Sequence, residues 1–245
     1  MTRLLLLAGA GETREIAAGL AARGRDAVAS FEGSARFAGK IPLPQRVGGF
    51  GGDAGFERYL ESETIGAVLD VTHPFAEAVS ARSARICKAL GIPYAMVLRP
   101  EWAPEEGDTW VMLDSEAGAA EHIPQGSTVF VATGRGGLRG FANLKDCEVI
   151  ARRLGGEPED FPFEGGRFLQ GDGPFSVAEE EALFRELGVD WLVVKNAGGA
   201  GARPKLQAAR KLGIPVGMIR RPRPLEGVTL VGTAQEALDW ADAHG

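Results

Sequence analysis

The sequence predicts an α/β protein of two Rossmann-like lobes with parallel sheets, related by internal duplication, with a ligand cleft between them. Three observations carry this expectation. The 245 residues suffice for one large core or two small ones without disulfides or metals. Short apolar runs alternate with helix-length stretches, the order that yields βαβ units and a parallel sheet. The chain also repeats itself, since LGIPYAMVLRP (Leu90 to Pro100) returns as LGIPVGMIRRP (Leu212 to Pro222).

Taken in order, Leu4-Leu5-Leu6-Leu7-Ala8 gives a buried strand at 3–8. It ends in Gly-Ala-Gly and falls short of both a secretory core and the roughly eighteen apolar residues of a membrane span. A helix at 12–23 follows, then a strand near 26–31, a helix at 53–63, a strand at 66–71, a helix at 75–90, a strand at 94–98 and a helix at 115–122. The second half repeats this order more loosely: strand 128–132, helix 136–142, strand near 147–151, helix 176–187, strand 191–195, helix 203–212, strand 216–219 and helix 233–243. The register of the repeat extends outward. IGAVLDVTHPF from Ile65 parallels VDWLVVKNAGG from Val189, LLLLAGAGE from Leu4 parallels TVFVATGRGG from Thr128, and WVMLDSEAGAAEHI from Trp110 parallels LVGTAQEALDWADA from Leu230. The halves meet near residue 125, so lobes of 1–125 and 126–245 are expected, each domain-sized rather than a solenoid unit. Whether the last strand of a lobe stays in its own sheet or crosses to the other is open at this stage. Open parallel sheets bind ligands beyond the carboxyl ends of their strands, and chemistry is expected there.

Composition narrows the class. With 44% hydrophobic and 24% charged residues, the chain reads as a water-soluble globular protein of the cytoplasm. Its net charge of −6 disfavours non-specific nucleic-acid binding. Cys87 and Cys147, with His73, His122 and His244, show no metal-ligand spacing, so no metal is expected. One local basic stretch stands out. From Lys195 to Arg223 there are eight basic residues and no acid, a place to meet an anion.

The motifs fall at strand ends. Gly9-Ala10-Gly11 closes the first strand and opens the first helix, where a diphosphate can approach backbone N–H groups. Glu12, Thr13 and Arg14 complete G-x-G-E-T-R, with Arg14 at the usual third-glycine position; a tight turn without ligand explains the pattern equally well. The second strand offers Ser30 and Glu32, with Arg36 just beyond, rather than an acid placed to grip a ribose 2′-hydroxyl, which favours a 2′-phosphate. Thr133-Gly134-Arg135-Gly136-Gly137 occupies the equivalent turn of the second half. Thr72 and His73 stand at the end of strand 66–71, ahead of Pro74 as a first helical residue, and Ser80 and Arg82 lie on the helix that follows. A histidine at a strand end suits proton transfer. Lys195-Asn196-Ala197-Gly198-Gly199 is its counterpart in the second half, and Ser176 with Glu179 fits a capping box.

VTHPFA from Val71, GPFS from Gly173, KNAGG from Lys195 and RRP from Arg220 together resemble the signatures of the precorrin-6A reductase family, as do GAGETRE from Gly9 and PLPQRVGGFGG from Pro42. Ala197 departs from the family's usual Ser in K-N-S-G-G. The resemblance implies an NADPH-dependent reductase of cobalamin biosynthesis that reduces one double bond of a tetrapyrrole-derived macrocycle bearing acetate and propionate arms. By their positions at strand ends, His73 or Lys195, or water ordered by them, are expected as proton source. The coenzyme would lie on Gly9 to Arg14, Ser30, Arg36, Thr72 and Thr133 to Arg135. The polycarboxylate would lie on Ser80, Ser176, Asn196, Gly198, Gly199, Arg203 and Lys205. A monomer or weak homo-oligomer is expected. The competing classes are a non-catalytic two-lobed binder of an anionic molecule, an enzyme acting on the cobalt-containing ring, and a short-chain oxidoreductase. The last requires Tyr-x-x-x-Lys, whereas Tyr59 and Tyr94 are followed four residues on by Glu63 and Leu98.

Overall fold

The computed structural model describes residues 2–33, 41–153, 159–171 and 173–244. The chain forms two compact units, Met1–Pro100 with Pro222–Gly245, and Glu101–Arg221.

The first unit is a six-stranded parallel sheet. Its strands are β1 (Arg3–Ala8), β2 (Ala27–Phe31), β3 (Gln45–Val47), β4 (Ile65–Val71), β5 (Tyr94–Val97) and, from the end of the chain, β12 (Thr229–Val231), in the order β12-β5-β4-β1-β2-β3. The leucine run is central and buried on both faces, as a parallel strand flanked by helices must be. Leu4 and Leu6 face a core shared with α1 (Thr13–Ala22) and α6 (Ala234–Ala243). Leu5 and Leu7 face Phe56 and Leu60 of α2 (Asp53–Ser62) and Ile86 and Cys87 of α3 (Glu77–Leu90). Helices α1 and α6 touch closely, because a Cβ on Gly19 would stand 2.5 Å from Leu238 Cδ1.

The second unit repeats the plan with β6 (Trp110–Leu113), β7 (Thr128–Ala132), β8 (Glu148–Arg153), β9 (Gly166–Gln170), β10 (Trp191–Lys195) and β11 (Val216–Ile219), ordered β6-β11-β10-β7-β8-β9 and all parallel. Its main core joins Phe130, Ile150, Leu192, Val194, Val216 and Met218 to Phe184 of α4 (Val177–Leu187) and Leu206 of α5 (Arg203–Leu212). The capping box expected of Ser176 and Glu179 is present at the start of α4.

The two parallel α/β sheets are as the sequence predicts, but the division near 125 is not where the chain folds. β6 follows β5 in sequence yet pairs with β11, and β12 follows β11 yet pairs with β5. The reason lies in residues 101–109, which are fixed to the second unit. The Trp102 N–H donates to Asn196 Oδ1 (2.9 Å) and its indole donates to the Gly199 carbonyl (2.8 Å). Arg210 of α5 holds Asp108 and Glu105. The stretches expected as helices at 115–122 and 136–142 are 3-10 helices at Ala117–Glu121 and Arg135–Phe141. Among the described residues no helix is long and apolar enough to cross a membrane.

Candidate functional site

In the first unit the β1–α1 turn lies against the loop after β4. Ala10 N–H donates to the Val71 carbonyl (2.8 Å), and a Cβ on Gly9 would stand 3.4 Å from Thr72 Cα and 3.5 Å from the His73 nitrogen. A side chain at 9 would meet the backbone of this loop at ordinary contact distance, so the turn and the loop pack directly against each other. Thr13 is buried and accepts from Gly9 N–H at Oγ1 (3.3 Å). Glu12 is ion-paired to Arg99 at 2.6 Å. Gly11 faces open space and Arg14 is exposed on α1. Among the described residues the Gly11 and Glu12 N–H groups have no hydrogen-bond acceptor. The turn thus offers donors at the start of an α-helix, the arrangement that suits a diphosphate.

The β4 end is organised by a residue that sequence patterning passes over. Asp70 is fully buried. It accepts from Thr72 N–H at Oδ1 (2.9 Å) and from the Tyr94 hydroxyl at Oδ2 (2.5 Å). Thr72 Oγ1 and Ser80 Oγ lie 3.3 Å apart, and Ser80 is 1% exposed; the pair forms part of this internal network. Burial first, and then the negative charge of Asp70, push the Tyr94 hydroxyl far above its ordinary range. The same two causes push the Cys87 thiol up to about 12. His73, next in the loop, is exposed. Its Nδ1 accepts from Phe75 N–H (3.3 Å), so the proton of the neutral ring is assigned to Nε2.

At the end of β2, Ser30 is buried and accepts from Arg46 of β3 at 2.7 Å. Arg36 lies outside the described residues. Arg46 is the functional candidate that strand-by-strand reading missed; only the register Ser30↔Arg46 brings the two together.

The second unit places its candidates differently. Thr133 is buried with Oγ1 unpartnered among the described residues, Gly134 takes a positive φ of 78° at the head of a 3-10 helix, and Arg135 pairs with Glu159 at 3.5 Å. Lys195 is paired with Glu116 at 3.0 Å. Asn196 is buried, and besides accepting from Trp102 N–H it donates through Nδ2 to Glu101 (3.2 Å) and to the Trp102 carbonyl (3.1 Å). Gly198 and Gly199 both have positive φ, the second presenting its carbonyl to Trp102. Ser176 caps α4. Arg203 pairs with Glu105 at 3.0 Å. Lys205 lies 3.6 Å from Glu180, a buried carboxylate also gripped by Arg152 through two 2.7 Å bonds. Burial lowers the Lys205 pKa, against an upward pull from Glu180. The acid-free stretch read as a basic patch is therefore largely neutralised by carboxylates from distant segments. Among the described residues no group of three or more His, Cys, Asp or Glu could hold a metal ion.

Comparison with known proteins covers nearly the whole chain. The sequence model of the family described as "Precorrin-6x reductase CbiJ/CobK" matches residues 3–242. Precorrin-6A reductase of Rhodococcus erythropolis is 40% identical over 244 residues, covering 98% of this chain and 97% of that one. That of Rhodobacter capsulatus is 37% identical over 246 residues, covering 100% and 98%. A cobalt-precorrin-6A reductase of Priestia megaterium is 24% identical over 247 residues, covering 96% of each. The solved structure of a CobK precorrin-6A reductase superimposes with a TM-score of 0.91 at 37% identity, covering 100% of this chain and 98% of that chain.

Proposed function

The chain belongs to the precorrin-6x reductase family, and from that premise we propose that it reduces one double bond of precorrin-6A, giving precorrin-6B, at the expense of NADPH. It is an oxidoreductase, and the non-catalytic binder considered from the sequence is set aside. The observation that carries the reading is the match over residues 3–242. The relatives named precorrin-6A reductase, at 34–40% identity, lie nearer than the cobalt-named ones at 24–30%, which supports the metal-free ring as substrate.

The residues present fit a dinucleotide. Gly9, packed against the backbone of Thr72 and His73, and Gly11, open to its surroundings, flank donors at the head of α1. The diphosphate would lie on Gly9 to Thr13, with Arg14 beside it and Ser30 toward the ribose end. When bound, NADPH supplies the hydride for one carbon of the double bond. His73, as its imidazolium, would deliver a proton to the neighbouring carbon and be left as the neutral imidazole. Lys195, the other candidate, keeps its ammonium against Glu116 and serves as a charge facing the acidic substrate. Asn196, Gly198 and Gly199 hold the shape of the loop after β10.

The test is loss of NADPH absorbance on adding precorrin-6A under anaerobic conditions, with His73→Ala alongside wild type. Removing a general acid lowers kcat by about 10²-fold or more. Turnover within about threefold of wild type would remove His73 from the proton-transfer role, and no NADPH oxidation by the wild type would overturn the assignment as a whole.

A further inference from the structure

We propose that Arg46 is the residue that distinguishes NADPH from NADH in this protein, by binding the 2′-phosphate at the carboxyl ends of β2 and β3. The inference rests on the dinucleotide lying on the first unit, as set out above.

Its position is the first reason. In a doubly wound sheet the ribose next to the adenine lies at the end of the second strand, where an acid selects the 2′-hydroxyl and an arginine selects the 2′-phosphate. Here Ser30 holds the place of the acid within β2, and its hydroxyl accepts from Arg46. Glu32 lies past the strand end and is exposed.

Preorganisation is the second reason. The guanidinium is held by Ser30 Oγ (2.7 Å) and the Gly49 carbonyl (3.1 Å), and sits 4.0 Å from the centre of the Phe50 ring. Those two bonds use two of the five N–H donors of the side chain, and the rest have no hydrogen-bond acceptor among the described residues. A cation fixed in this way loses little further freedom on binding a phosphate.

Charge is the third. Arg135, Lys195, Arg203 and Lys205 each have a carboxylate within 4.0 Å. Arg46 has none among the described residues, and neither has Arg82, whose guanidinium stands 5.9 Å from the same Phe50 ring. Two uncompensated cations beside one ring repel each other, and a dianionic phosphate relieves that repulsion. A neutral 2′-hydroxyl does not.

Binding, not turnover, tests this. Calorimetric titrations of wild type, Arg46→Gln and Ser30→Ala would use NADP⁺, NAD⁺, adenosine 2′,5′-bisphosphate and adenosine 5′-monophosphate. Wild type is expected to bind NADP⁺ more tightly than NAD⁺. Arg46→Gln is expected to lose about ten- to a hundredfold in affinity for NADP⁺ and the bisphosphate, with NAD⁺ and the monophosphate within about twofold of wild type. Ser30→Ala loses less, because the cation stays but is held more loosely. Should Arg46→Gln not fold, Arg46→Lys takes its place, with partial loss expected because the charge remains without the fork. An unchanged NADP⁺ to NAD⁺ ratio in the Arg46 variant overturns the proposal. So does a selective loss of affinity for uroporphyrin, used as a polycarboxylate ring probe, since Arg46 would then serve the substrate arms. A wild type that binds both coenzymes equally overturns the NADPH reading itself, a distinguishable result.

Discussion

Tyr94→Phe isolates the contribution of one hydroxyl to the loop that carries His73. The substitution keeps the ring and removes the donor that reaches Asp70 Oδ2 at 2.5 Å. Asp70 is fully buried, so the abandoned oxygen has no route to bulk water without opening the network. A hydrogen bond to a charged group contributes about 1.5–3 kcal/mol, and a loss of about 2 kcal/mol is expected in urea unfolding near neutral pH. The pH dependence gives a second, sharper signature. The folded-state pKa of Tyr94 is raised above the ordinary 10.0 by burial and by Asp70, so its stabilisation is fully present below pH 10 and is lost as pH rises beyond it. In the unfolded wild type the phenol ionises there, while phenylalanine cannot. Each pH unit above that point therefore removes about 1.4 kcal/mol of the wild-type advantage, and most of the gap closes by about pH 11. Titrations shared by both proteins cancel in the difference. A gap below about 0.5 kcal/mol near neutrality, or one that stays constant to pH 11, would refute the reasoning.

Two further outcomes follow from the packing. Glu180→Gln keeps the side-chain shape but leaves Arg152 and Lys205, 7% and 13% exposed, without their shared anion. Breaking a buried pair in this way costs about 3–5 kcal/mol, measurable by urea unfolding, and a loss under 1 kcal/mol would mean that the cluster is hydrated. Gly19→Val drives a branched side chain into Leu238, which already lies 2.5 Å from where a Cβ would be, and overpacking costs about 1–3 kcal/mol. Leu238→Ala in the same chain is expected to recover part of that loss. Simple additivity of the two changes in thermal unfolding would show that α1 and α6 do not touch in solution.

Legibility in the sequence tracks burial. The strands expected at 3–8, 128–132, 191–195 and 216–219 coincide with β1, β7, β10 and β11, because central parallel strands are apolar on both faces and announce themselves as unbroken runs. Gln45–Val47, Trp110–Leu113, Gly166–Gln170 and Thr229–Val231 escaped. Each lies at an edge of its sheet and is partly exposed, so the burial on both faces that marks a central strand is missing. The repeat correctly paired the segments at Trp110 and Leu230 as equivalents. Equivalence in sequence does not say which sheet edge a strand completes. That is decided by the anchors of residues 101–109, where Trp102 meets Asn196 and Gly199 and Asp108 meets Arg210 across about a hundred residues of chain.

The site follows the same logic one level down. A parallel sheet gathers all its strand ends on one edge, so residues that end strands, such as Gly9, Thr72, Thr133 and Lys195, can be nominated from the sequence alone. What cannot be nominated is a partnership set by register between strands, such as Ser30 with Arg46, or by an aromatic reaching across from the next strand, such as Tyr94 with Asp70. Net local charge is the least legible of all. The stretch from Lys195 to Arg223 contains eight basic residues and no acid, yet Lys195, Arg203, Lys205, Arg210, Lys211 and Arg220 meet Glu116, Glu105, Glu180, Asp108, Glu181 and Asp114 in turn. Meanwhile Arg46, in a segment with no basic excess, keeps its charge uncompensated among the described residues. The charge available to an anion therefore depends on which cations the fold leaves without a carboxylate, and a count along the chain points to the wrong ones.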